Sequence, residues 1–261
     1  MASFVFKSHQ FIPLDINRPS FASCRQAVKT SGKTMPIISF ASSKGGAGKT
    51  TSSIILGTEL AASGASVVLI DADPAARLAK WADISNLPDG IEVIQSTGER
   101  AILDEIDEAV SKAAFVIIDL EGSASRLASF AIGESDLVVV PSGEEQQDAD
   151  AAVDTLAEVS REGRSRGKNI PAAVLLCRTN AAVKSRLEKF IQGQLKSAAP
   201  VFETQLHRRT SFSALHNAGA GLRQLDSKEF NGIEKAIANA QAFAAEVIDM
   251  LEEQGTSSDA A

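Results

Sequence analysis

Four apolar runs in this 261-residue chain end in residues equipped for chemistry. The run at 36–41 leads into Ser42-Ser43-Lys44-Gly45-Gly46-Ala47-Gly48-Lys49-Thr50-Thr51. The run at 66–70 ends in Asp71-Ala72-Asp73-Pro74, and the run at 115–118 in Asp119-Leu120-Glu121-Gly122. The run at 172–176 ends in Cys177-Arg178-Thr179-Asn180. The first stretch suits a phosphate. Its glycines let the backbone curl so that successive N–H groups face an anion. A helix opening behind them adds partial positive charge. Lys49 is spaced to reach the β- and γ-phosphates of a nucleotide, and the Thr50 hydroxyl to ligate Mg²⁺. Asp119, at the end of Phe-Val-Ile-Ile, is a second ligand for that ion, acting through water. The strict pattern G-x-x-x-x-G-K-[ST] fails at its first position, Ser43, whereas K-G-G-x-G-K-[ST] is matched throughout.

Positioning these residues requires a parallel sheet. The runs are continuous rather than alternating, so their strands are buried on both faces. They alternate with helical patterns expected at 50–63, 100–113, 147–160, 183–195, 211–218 and 228–253. Further strands are expected at 91–95, 137–140 and 201–202. Strands interleaved with helices imply one doubly wound α/β domain, over 35–254. In such a sheet ligands bind beyond the carboxyl ends of the strands, where all four loaded stretches fall.

Composition narrows the class. With 44% hydrophobic and 23% charged residues, the chain is an ordinary globular domain, and no apolar run reaches the length of a membrane span. Cys24 and Cys177 are too far apart and too isolated for a zinc site or a disulfide framework. Residues 1–34 carry Lys7, Arg18, Arg25, Lys29 and Lys33 against Asp15, a net +4. Two readings of them stand: a basic, disordered extension, or sequence upstream of a start at Met35. The whole chain is −7, so residues 35–261 carry −11, and DNA binding would need a local basic patch. The tail 255–261 is small and polar and is expected to be disordered.

The box from Lys44 to Thr51 resembles the deviant Walker A loop of the ParA/MinD superfamily of P-loop ATPases. The resemblance covers about residues 36–251 and is nearest to plasmid-partition ParA proteins lacking an N-terminal helix-turn-helix. It implies that Lys44, Gly45, Gly46, Ala47, Gly48, Lys49, Thr50 and Thr51 bind ATP. It also implies that Lys44 reaches across an ATP-dependent homodimer, and that Lys44, Lys49 and Asp73 serve catalysis. Asp73 would orient the attacking water, Asp71 would support the shell of a metal held by Thr50 and Asp119, and Arg178 would lie beside the adenine. Two departures stand out: Ala75 replaces the family's usual Gln, and Leu120-Glu121-Gly122-Ser123 replaces Thr-Pro-Pro. Gly122 could still approach the γ-phosphate. Glu121 either joins the metal shell, points away, or caps a helix starting near Ser123.

The resemblance further implies a cytoplasmic, nucleoid-associated protein that binds DNA without sequence preference and is reset by a ParB-like activator. Candidate phosphate contacts are Lys184, Arg186 and Lys189 on one helix, and Arg208 with Arg209. Plasmid partition is the expected function. A DNA-transfer accessory ATPase, or a positioning ATPase for a non-DNA cargo, are the alternatives. No membrane partner is expected, because Glu246, Asp249, Glu252 and Glu253 make the C-terminus acidic rather than basic. A nitrogenase-type reductase would need cluster cysteines that the chain lacks.

Overall fold

The apolar runs become the inner strands of a covered sheet. The computed structural model describes residues 35–84, 87–122, 125–181 and 186–258. The strands are β1 (Ile37–Phe40), β2 (Val67–Ala72), β3 (Ile91–Gln95), β4 (Phe115–Leu120), β5 (Leu137–Ser142), β6 (Ala172–Thr179) and β7 (Leu206–His207). They pair in the order β3-β2-β4-β1-β5-β6-β7, every pair parallel. β1, β2, β4 and β5 are buried along their whole length, as unalternated aliphatic sequences require.

Eight helices cover the sheet among the described residues. They are α1 (Lys49–Ala62), α2 (Arg77–Ile84), α3 (Ile102–Lys112), α4 (Arg126–Glu134), α5 (Gln146–Ser165), α6 (Arg186–Ala198), α7 (Thr210–Ala218) and α8 (Ile233–Ser258). α1, α2, α7 and α8 bury one face, with Ile54, Trp81, Leu215 and Phe243 in its core. α3 to α6 bury the other, through Ile106, Ile132, Val159 and Ile191. The fold is the doubly wound α/β domain expected from the sequence. α1 lies so close to the sheet that a Cβ at Gly57 would stand 3.0 Å from Leu69 Cδ2.

β1 is central, between β4 and β5, and the register sets Phe40 beside Asp119 and Asp119 beside Asp71. The loop after β1 and the carboxylates after β2 and β4 therefore emerge together at one edge, in the crevice where open α/β sheets bind ligands.

Several expectations need correction. α2 and α4 add to the helices read from periodicity. Val201 forms only an isolated bridge to Val174, and the last strand is Leu206–His207. α8 starts at Ile233 because Asp226 folds Lys228, Glu229 and Phe230 into a turn, and Gly232 then takes φ 74°. At its other end α8 runs on through Ser258, into the expected tail. A nucleated helix propagates through one Gly, Gly255, at a cost of only about 1 kcal/mol. Residues 1–34 lie outside the described residues.

Candidate functional site

The phosphate loop is built by backbone conformation. Gly46 and Gly48 take φ 73° and 113°, a region closed to side chains without strain, and Gly48 then opens α1. Lys49 and Thr50, the first residues of α1, are 7% and 8% exposed. Lys49 Nζ donates to the carbonyl of Ser42 at 3.4 Å. Burial lowers the Lys49 pKa, while Asp119, Asp73 and Glu121 favour its charged form. The ammonium is thus set among carboxylates, over the loop that faces an anion. Gly122 closes the other side: a Cβ there would lie 3.5 Å from Lys49 Nζ and 3.6 Å from the Gly45 nitrogen.

Asp119 ends β4 fully buried. Thr50 Oγ1 donates to its Oδ2 at 2.6 Å, and its Oδ1 has no partner. A buried, unpartnered carboxylate oxygen beside a threonine hydroxyl fits a hard cation such as Mg²⁺. Among the described residues no group of three or more His, Cys, Asp or Glu could hold a metal by itself. The ion would take its remaining ligands from phosphate and water, as Mg²⁺ commonly does.

Burial pushes the Asp119 pKa up to about 7, with nearby Asp71 and Asp73 adding to the rise and Thr50 and Lys49 opposing it. Ionising it in the nucleotide-free fold therefore costs stability. That cost is absent well below 3.8, the ordinary value, builds as pH rises from there to about 7, and is complete above it. Asp119→Asn should raise the melting temperature of the nucleotide-free protein at pH 8, by about 2–4 °C per kcal/mol recovered. At pH 5 the difference should shrink, and Mg²⁺-dependent nucleotide binding should be lost. Thermal unfolding at the two pH values checks this; a lower melting temperature at pH 8 would show that the ionised form is already compensated.

The Asp71-Ala72-Asp73-Pro74 segment is a folded unit. Asp71, 1% exposed, accepts the N–H of Asp73 at 3.1 Å and of Ala79 at 2.8 Å. Asp71 thus ties the turn to α2, with one backbone donor on each of its oxygens. Asp73 accepts the Ala75 N–H on Oδ1 and pairs through Oδ2 with Arg77 Nη1, each at 2.8 Å.

Lys44 Nζ pairs within its own chain with Asp148 Oδ1 at 2.5 Å. Asp148 belongs to the capping box of α5, which also holds Ser43 through Thr155 and Ala151. The N-cap residue of α4 is Ser125, whose side chain accepts the Ala128 N–H. The charge of Glu121 favours protonated Lys49. Ser123 lies outside the described residues.

A cleft of about 380 Å³ continues from the loop, between Gly46, Gly48 and Thr51 and the ends of β6 and β7. Its wall includes Cys177, Arg178, His207, Arg208, Arg209 and His216. Arg178 is exposed and takes φ 57°. Thr51 Oγ1 and His216 Nε2 are 2.8 Å apart, and burial, with Arg77 nearby, lowers the His216 pKa. The cleft carries several cationic or donor side chains and no carboxylate, which suits the sugar–phosphate part of a nucleotide. Arg208 and Arg209 therefore sit with Arg178 in the cleft wall, apart from the helix that carries Arg186. Pairing of β6 with β7 draws them there. Arg186 and Lys189 are exposed on α6, and Lys184 lies outside the described residues. Sequence reading missed Arg77, Asp148 and His216. Only His216 left a trace, as one of three histidines of which two line one cleft.

Comparison with known proteins agrees with this geometry. A family model described as VirC1 protein matches residues 35–253. The Protein ParA of Rhizobium radiobacter is 36% identical over 220 residues, covering 84% of this chain and 99% of that protein. The virC1 protein of Rhizobium rhizogenes is 30% identical over 190 residues, covering 71% and 82%. Among solved structures, a Cyanothece McdA variant in complex with ATP superposes with a TM-score of 0.64 at 17% identity, covering 83% of this chain and 97% of that one. The Pyrococcus horikoshii septum site-determining protein MinD with Mg-ADP gives 0.66 at 15%, covering 84% and 98%.

Proposed function

We propose, because this chain belongs to the VirC1 family within the ParA/MinD superfamily of P-loop ATPases, that it is a nucleotide-switched ATPase that positions DNA. The observation that carries this reading is the convergence of Lys49, Thr50 and the unpartnered Asp119 oxygen beside the cleft. ATP would lie with its phosphates on Lys44–Thr51 and its sugar and base toward Arg178, Arg209 and His216. Mg²⁺, held by Thr50 and Asp119, would supply charge neutralisation at the phosphates.

Phosphoryl transfer asks the protein for alignment and charge compensation. Lys49 compensates the terminal phosphates. Asp73 orients the attacking water. Lys44 leaves Asp148 to reach the phosphates of a second subunit, so nucleotide completes a homodimer. Hydrolysis breaks that bridge, and a ParB-like activator accelerates it. The dimer binds DNA through phosphate contacts from exposed cations such as Arg186 and Lys189 on α6. In the cell this places it on the nucleoid, in the cytoplasm. Partition of a replicon is the favoured use, supported by the ParA relative that this chain matches over 99% of its length. The match to the VirC1 family supports a second reading, an accessory ATPase of DNA transfer.

The test is binding to a random-sequence duplex with ATP, ADP or no nucleotide, at about 50 and 200 mM salt. Binding that needs ATP and weakens about 10²-fold or more between those salts supports the reading. Absence of binding in every state would sink the DNA role and leave a positioning ATPase for a protein cargo. No helix among the described residues is long and apolar enough to cross a membrane.

A further inference from the structure

We propose that Arg77 is a positioning residue for hydrolysis, holding Asp73 in the one orientation that lines up the attacking water. The inference rests on the role given to Asp73 above and adds a residue that neither the motif nor the family resemblance assigned.

The turn after β2 is built to bring the two side chains together. Asp71 draws back the N–H groups of Asp73 and Ala79, which folds residues 73–79 over the end of the strand. Asp73 then accepts the N–H of Ala75 on Oδ1. Ala76 takes φ 50°, a left-handed conformation that strains any residue with a Cβ. The chain leaves this strained residue directly into α2, whose first residue, Arg77, returns over Asp73 and donates to Oδ2 at 2.8 Å. Asp73 thus has one oxygen held by backbone and the other by a guanidinium. Its carboxylate cannot rotate without breaking one of the two bonds.

Stability does not explain the arrangement. The Arg77 side chain is 59% exposed, and exposed i,i+4 pairs contribute little to folding. A strained turn and an exposed pair of little worth to the fold, with both Asp73 oxygens held, together fit alignment of a catalytic carboxylate. The second lone pair of Oδ2 remains open to a water while Arg77 occupies the first.

The experiment is single-turnover ATP hydrolysis with saturating DNA, alongside equilibrium binding of a fluorescent ATP analogue. Wild type, Arg77→Ala, Arg77→Lys, Asp73→Ala and the Arg77→Ala/Asp73→Ala double variant are compared, with thermal unfolding to confirm that each folds. Arg77→Ala should slow hydrolysis about tenfold, the scale of a modest misalignment, with ATP affinity unchanged within about twofold. Arg77→Lys should recover most of the rate. In the Asp73→Ala background the Arg77 change should have no further effect. An unchanged or faster Arg77→Ala rate overturns the proposal, as does a rate loss that persists without Asp73 or one that comes with lost ATP affinity. Wild-type protein that hydrolyses no more ATP than Lys49→Ala would sink the ATPase reading itself. An active wild type with an indifferent Arg77→Ala sinks only this inference.

Discussion

Lys49→Ala should abolish ATP-dependent dimerisation in sedimentation experiments, where the wild-type protein is expected to shift to a dimer on adding ATP and Mg²⁺. Lys49 is the cation buried at the start of α1, with Asp119, Asp73 and Glu121 within electrostatic reach. Removing it deletes the charge-assisted bonds to phosphate, each contributing about 1.5–3 kcal/mol. It also leaves three carboxylates facing the incoming anion with that compensation gone. Together these should weaken ATP binding by roughly 10²–10³-fold. The nucleotide-free fold should not suffer equally, because burying an ammonium already costs desolvation, which lowers the Lys49 pKa. A variant that melts like wild type yet stays monomeric with ATP is therefore the expected result. Equal dimer fractions in the two proteins would remove Lys49 from the phosphate site.

Asp73→Ala should do the opposite and trap the ATP-bound dimer. Asp73 is the carboxylate at this edge whose bonds are confined to its own turn, to Ala75 and Arg77. Nothing about the phosphate loop, Thr50 or Asp119 depends on it, so ATP and Mg²⁺ binding should persist. Loss of a positioned water-orienting group typically lowers the rate about 10²-fold or more. The strand end should hold, since Asp71 still ties the turn to α2 through the Ala79 N–H. Hydrolysis and dimer lifetime, followed in one reaction after a chase with ADP, check both halves. Normal turnover would refute the role, and loss of ATP binding would mean that Asp73 belongs to the ground-state site.

Much of this site was legible in the sequence because its parts are local. A glycine-rich turn between a strand and a helix is specified within a single short stretch, here Lys44–Thr51. Asp73 and Asp119 were readable as carboxylates at the ends of buried strands, and a parallel α/β sheet follows from unalternated aliphatic runs. The unpartnered Asp119 oxygen, however, is a property of packing, and no spacing rule announces it.

Contacts between segments that the chain order keeps apart were decided only by the tertiary structure. Thr51 meets His216, and Lys44 meets Asp148, because α7 and α5 flank the loop after β1 in space. Arg208 and Arg209, read as a DNA surface from their charge, line the cleft because β7 pairs with β6 and carries them beside Arg178. Asp71 looked like a metal ligand by its place in the motif. Its oxygens also receive backbone N–H groups of the turn and of α2, a tie that only the folded strand end reveals. The sequence by itself determined which residues could bind phosphate, because that geometry lies within one turn of backbone. Which side chains line the cleft beside that turn was set by strand order, and strand order is settled by the burial of the whole sheet.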